Sequence, residues 1–121
     1  MSPRRLTVPN LRAALWTLRA LRVVKRELHA GRWESIDLPR VPRLPSSAER
    51  AVEGVLRRAG ATCLPRAMVQ QAWFAAHGSR RDIVVGVTAP SAGFAAHAWL
   101  AGEPPCHSER YEELLRRPAN V

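Results

Sequence analysis

Two residues of this 121-residue chain have the type and setting for nucleophilic chemistry, Cys63 and His97. Cys63 stands at what reads as the start of a helix. Thr62 is a capping residue type, Pro65 is tolerated in a first turn, and Ala67 to Ala76 contains no breaker before Gly78. A thiol attacks carbonyl carbon only as thiolate, and the positive end of a helix, with its unsatisfied N–H groups, favours that form. The same N–H groups can donate to an oxyanion as it develops. A base must lie within reach, and His97 is set in Ala95-Ala96-His97-Ala98-Trp99, where small neighbours leave room around the imidazole. On a strand, Ala95, His97 and Trp99 share one face. Taken singly, such a cysteine is more often a small buried hydrophobe and such a histidine a core residue. Their pairing in this order raises the chemical reading.

The elements that must position the pair follow from periodicity and breakers. A helix is expected from Asn10 to about Ala30, with Asn10 as N-cap, Gly31 as stop, and Leu11, Ala14, Leu15, Leu18 and Leu21 on one stripe. Trp16, Ala20, Val23 and Val24 widen its apolar surface, which predicts contacts on two sides. Pro39, Pro42 and Pro45 make the next stretch an extended connector. Ser46 with Glu49 reads as a capping box opening a helix that runs to Ala59 and stops at Gly60. The third helix is the one headed by Cys63. Ile83 to Val87 and Phe94 to Leu100 are β-rich runs expected to form an antiparallel hairpin, and Glu109 to Arg117 reads as a short terminal helix. The expected fold is therefore α+β, a helix packed on a short antiparallel sheet. Its organisation is a basic helical arm with a Pro-rich linker over 1–45 and a core over 46–121.

Composition bounds the partners. Lys plus Arg number 19 against 10 Asp plus Glu, a formal charge of +9. Such an excess attracts acidic peptides, acidic proteins or polyanions without choosing among them. Two cysteines, Cys63 and Cys106, do not make a disulfide framework, and residues 1–10 hold no apolar signal-peptide region, so a reducing cytoplasm is expected. Arg12, Arg19, Arg22, Lys25 and Arg26 interrupt the only long apolar segment, which excludes a membrane span.

A helix-start cysteine followed by a strand histidine is the layout of papain-like and transglutaminase-like cores. Thr62-Cys63-Leu64-Pro65-Arg66-Ala67, Gly78, Ile83-Val84-Val85-Gly86-Val87 and Phe94-Ala95-Ala96-His97-Ala98-Trp99-Leu100 resemble, in this order, the leader peptidases of lasso-peptide gene clusters. The resemblance covers about Ala48 to Leu100. It implies a transglutaminase-like cysteine endopeptidase that cuts a ribosomally made precursor between leader and core, with Cys63 as nucleophile and His97 as base. It further implies a separate leader-recognition protein as partner, and an ATP-dependent macrolactam synthetase acting on the freed core. Neither metal nor cofactor is implied. The family's third catalytic member is an Asp beyond the His, yet no Asp follows Asp82 here. Glu109 is the first candidate for that place, Glu103 the second and His107 the third. Trp99, Leu64 and Arg66, beside the two reactive residues, are expected to line the substrate groove.

Competing readings are weaker on the residues. Cys63, His97, Cys106 and His107 lack the paired Cys-x-x-Cys spacing of a structural zinc site. The helices at Ser46–Ala59 and Cys63 onward have a superficial helix-turn-helix look and the charge suits DNA. Yet the would-be recognition helix carries Met68, Val69, Ala72, Trp73 and Phe74 with only Arg66 basic, a core helix and not a groove reader, so no nucleic acid is expected. A non-catalytic docking subunit is the remaining alternative. His29 and His77 lie near expected helix C-termini, where a cation is favoured, and carry no assigned chemistry.

Overall fold

A computed structural model of the chain describes residues 7–32, 36–87, 96–102 and 112–118. The backbone divides into two compact units, Met1–Ala61 and Thr62–Val121.

The first unit is helical. Helix α1, Val8–His29, is capped by Thr7, whose hydroxyl accepts from the Asn10 N–H at 3.3 Å. Asn10 was the expected cap. Thr7 takes the role because Pro9 needs no partner for a first-turn N–H, which lets the cap sit three residues earlier. Gly31 stops the helix as expected, with bonds from Gly31 N to Leu28 O and from Arg32 N to Glu27 O at 3.0 and 2.9 Å. The buried face of α1 is Ala13, Trp16, Thr17, Ala20, Leu21 and Val24; α1 packs against α2, Glu49–Arg58, whose own buried residues are Val52 and Leu56. The row Leu11, Leu15, Leu18 lies outside that face, exposed. Residues 36–45 form neither helix nor strand, as the prolines require. Trp16 Nε1 donates to Pro39 O at 2.9 Å, and Ile36 is buried, so this strap is tied down at two points.

The expected capping box is not formed. Ser46–Ala48 make one turn of 3₁₀ helix, Ala48 N donating to Pro45 O at 2.9 Å, and α2 begins at Glu49 with no side-chain cap. Tight i→i+3 bonds thus take up donors that a serine hydroxyl would have satisfied.

The second unit places a helix on a sheet. Helix α3, Cys63–Ala76, packs against β2, Ala96–Leu100; β1 is Ile83–Val87 and β3 is Glu112–Arg117. The strand order is β2-β1-β3, antiparallel throughout. The α+β class and the β1–β2 hairpin are as expected from sequence. Gly78 ends α3 at φ 90, a conformation costly for residues with a Cβ, and the Ser79 N–H returns to Phe74 O at 2.8 Å.

The expected terminal helix at 109–117 is overturned over its described part, which is β3. Glu-Glu-Leu-Leu-Arg-Arg has good helical propensity, but as a strand it supplies β1 with a second hydrogen-bonding neighbour. Tertiary pairing outweighs a propensity worth tenths of a kcal/mol per residue. One buried amide fastens this arrangement. Gln71 of α3 donates through Nε2 to Arg81 O and Arg117 O, both at 2.9 Å, and its Oε1 accepts from Arg117 Nη1 at 2.5 Å. A single side chain therefore holds the approach to β1 and the end of β3 to the Cys63 helix.

Candidate active site

Cys63 is the first residue of α3, half-buried, with a free thiol. Thr62 takes an extended cap conformation, φ −75 and ψ 172, but its side chain makes no cap hydrogen bond. The hydroxyl consequently does not occupy the first N–H groups of the helix. The first turn carries no acidic residue that would oppose a thiolate. Leu64 is half-buried and Arg66 exposed, while Pro65, Ala67, Met68, Val69 and Trp73 are buried. With its apolar residues inward, α3 is a core helix.

His97 is the second residue of β2, half-buried, and stacks on Trp99 with ring centroids 5.8 Å apart and planes 21° apart. The stack orients the imidazole through the buried indole, 7% exposed. Both reactive residues lie in one unit, on two elements in direct contact: the cysteine heads a helix, and that helix packs on the strand holding the histidine. Glu109 and Glu103, the two acidic candidates from sequence, lie outside the described residues, as do Cys106 and His107. Among the described residues no group of three or more His, Cys, Asp or Glu could hold a metal ion.

The sheet adds a carboxylate that sequence reasoning passed over. Residues directly opposite in antiparallel strands share a face. Gly86 lies opposite His97 on one side and opposite Glu113 on the other, so His97, Gly86 and Glu113 form one row across the sheet. In the next row on the same face, Val84 lies between Trp99 and Arg116. The alignment depends on a bulge. Val85 pairs with Leu115 but Gly86 with Glu113, leaving Leu114 as an extra residue in β3. Without it Gly86 would oppose Leu114, and Glu113 would face the other side of the sheet. Gly86 presents no side chain between the histidine and the acid.

Arg116 holds Glu113, its Nε donating to Glu113 Oε2 at 2.8 Å while Nη1 reaches Asp82 Oδ2 at 3.4 Å. The hydrogen bond to Glu113, followed by its charge, raises the guanidinium pKa above its ordinary value. Glu113 was missed because a residue read as part of a terminal helix has no strand register to place it. The one cue in the sequence is Gly86, a glycine inside a β-branched run, the usual mark of a bulge or a close approach.

Comparison with known families gives a match to the transglutaminase-like superfamily over residues 6–116. The chain belongs to the transglutaminase-like superfamily. The match spans both units and includes Cys63, His97 and Glu113. Transglutaminase-like domains are typically cysteine-protease-like, in keeping with a helix that begins at a cysteine and packs on a strand that carries a histidine. No curated protein and no solved structure matches this transglutaminase-like chain. No helix among the described residues is long and apolar enough to cross a membrane.

Proposed function

We propose that this protein is a cysteine endopeptidase that removes the leader from a ribosomally made lasso-peptide precursor before the macrolactam is formed. The observation that carries the reading is the packing of the Cys63-headed helix on the His97 strand, within a family that is typically cysteine-protease-like. The narrower substrate rests on the likeness of the Cys-Leu-Pro-Arg and Ala-His-Ala-Trp segments to lasso leader peptidases.

In this mechanism the Cys63 thiolate attacks the scissile carbonyl and a C–S bond forms. The N–H groups at the start of α3 hold the oxyanion. The C–N bond breaks as the His97 imidazolium gives its proton to the leaving amine. Water then attacks the thioester, His97 takes its proton, and the leader departs as a carboxylate with the thiolate restored. An acid orients the imidazole and stabilises its charged form. Glu109 is the first sequence candidate and Glu103 the second; Glu113, on the His97 row, is the candidate that the sheet register adds. Trp99, Leu64 and Arg66 line the groove. A leader-recognition protein presents the precursor, and an ATP-dependent macrolactam synthetase consumes the freed core.

Mass spectrometry of the precursor, incubated with its leader-recognition protein and either wild type or Cys63→Ala, tests this. A leader-sized fragment with wild type alone is expected. An uncut precursor in both reactions, or equal cleavage in both, would sink the peptidase reading.

A further inference from the structure

Helix α1 buries one face and leaves the opposite one uncovered. The uncovered face carries Val8, Leu11, Leu15 and Leu18, exposed to 69, 45, 57 and 43%. Their spacing of three, four and three residues is that of a seam between two helices packed side by side. The same line continues into Arg22, Lys25 and His29, all exposed. Beside it, seven residues apart, run Arg12, Arg19 and Arg26, also exposed. The helix has one acidic residue, Glu27, and Arg32 Nε engages it at 2.6 Å.

We propose that this face docks an acidic amphipathic helix of another protein. Apolar residues of the partner lie along Val8, Leu11, Leu15 and Leu18, and its carboxylates meet Arg12, Arg19 and Arg26 and the Arg22–Lys25 end of the seam. Width and charge choose the occupant. A helix lying in a membrane interface needs a broad apolar face, commonly with Trp or Phe, whereas this one is a single line of four aliphatic residues with a basic line next to it. Nucleic acid would satisfy the arginines but leave the four apolar residues in water. A second copy would bring Arg12, Arg19 and Arg26 against like charge, which opposes pairing. An acidic helix satisfies both lines at once, by apolar anchors in a groove and by opposite charge. The inference is independent of the peptidase assignment, since it concerns binding at α1 alone.

The test uses the intact chain and a labelled synthetic helix of about four heptads with Leu at the seam positions and Glu flanking them, beside the same peptide with Lys for Glu. Fluorescence anisotropy should show the Glu peptide binding and the Lys peptide failing. Affinity should fall as salt rises from about 50 to 300 mM. Leu15→Ser with Leu18→Ser should weaken binding at least about tenfold, and Arg12→Glu with Arg19→Glu should weaken it while admitting the Lys peptide. These positions are exposed, and an unchanged melting temperature will show that each variant is folded. Equal binding of both peptides, no binding of either, or no effect of the leucine changes would overturn the proposal. So would a face whose leucines are instead needed for dimerisation in sedimentation, or for co-pelleting with phosphatidylglycerol vesicles.

Discussion

Replacing Gln71 by Ala should be among the most damaging polar substitutions in the protein. The amide is 3% exposed and makes three hydrogen bonds, two to backbone carbonyls, one ahead of β1 and one at the end of β3, and one from a guanidinium. Truncation removes one donor from each carbonyl and one acceptor from the guanidinium. A neutral hydrogen bond contributes about 1 kcal/mol net, one to a charged group about 1.5 to 3, and a stranded buried group costs about 1 to 3. Partial wetting of the vacated site and relaxation of Arg117 reduce the sum, leaving about 2 to 4 kcal/mol. Native domains hold only about 5 to 15 kcal/mol. Urea unfolding followed by circular dichroism should therefore show a clearly lower midpoint with little change in slope. Gln71→Met, which keeps the volume and none of the bonds, separates packing from hydrogen bonding and should recover only a minor part of the loss. Cys63, Ala67 and Gln71 follow at i, i+4 and i+8 on one side of α3, so the variant should also slow cleavage by loosening that helix on the His97 strand. A midpoint within experimental scatter of wild type would refute the claim that this amide fastens the helix to the sheet.

Glu113→Gln should lower the cleavage rate and disturb its pH profile more than its apparent substrate affinity, if this carboxylate orients His97. Glu109→Gln and Glu103→Gln measured beside it rank the three acids, and a profile unchanged in Glu113→Gln would remove it. Gly102→Ala forces a Cβ onto a residue at φ 92 and to 3.2 Å from Arg81 Nη2, at a turn where Arg81 Nε donates to Ala101 O. A loss of about 1 to 2 kcal/mol is expected in the same urea assay, chiefly from the backbone since the guanidinium end can move aside. The hydrogen bond from Arg32, followed by its charge and that of Arg26, holds the Glu27 carboxyl below its ordinary pKa of 4.5 despite partial desolvation. A depressed folded value means that the pair's contribution is present above the unfolded carboxylate pKa and disappears as pH falls through the folded one. NMR titration of the Glu27 carboxyl should give a midpoint that rises toward 4.5 in Arg32→Gln.

What local chemistry dictates was legible in the sequence. Prolines keep the 36–45 strap out of helix and strand, glycines mark the helix ends, β-branched residues make β1, and Thr62 with Pro65 places Cys63 at a helix start. These features act within a few residues, so composition and spacing reveal them. The α+β class followed as well, because a helical period and a strand period demand one another's apolar faces. Tertiary structure alone decided the rest. Sequence left open which of two apolar rows of α1, Leu11, Leu15 and Leu18 or Trp16, Ala20 and Val24, would face α2, and tertiary packing chose the second. Residues 112–117 carry helical propensity, yet β1 had an unpaired side to fill and Gln71 an amide to satisfy, and both needs are met by a strand. The bulge at Leu114 follows from that pairing, and with it the placing of Glu113 on the row of His97. Register is a relation between strands distant in the chain. One residue of slip turns a carboxylate to the other face of the sheet, and no local pattern in Glu-Glu-Leu-Leu-Arg-Arg determines which face it takes.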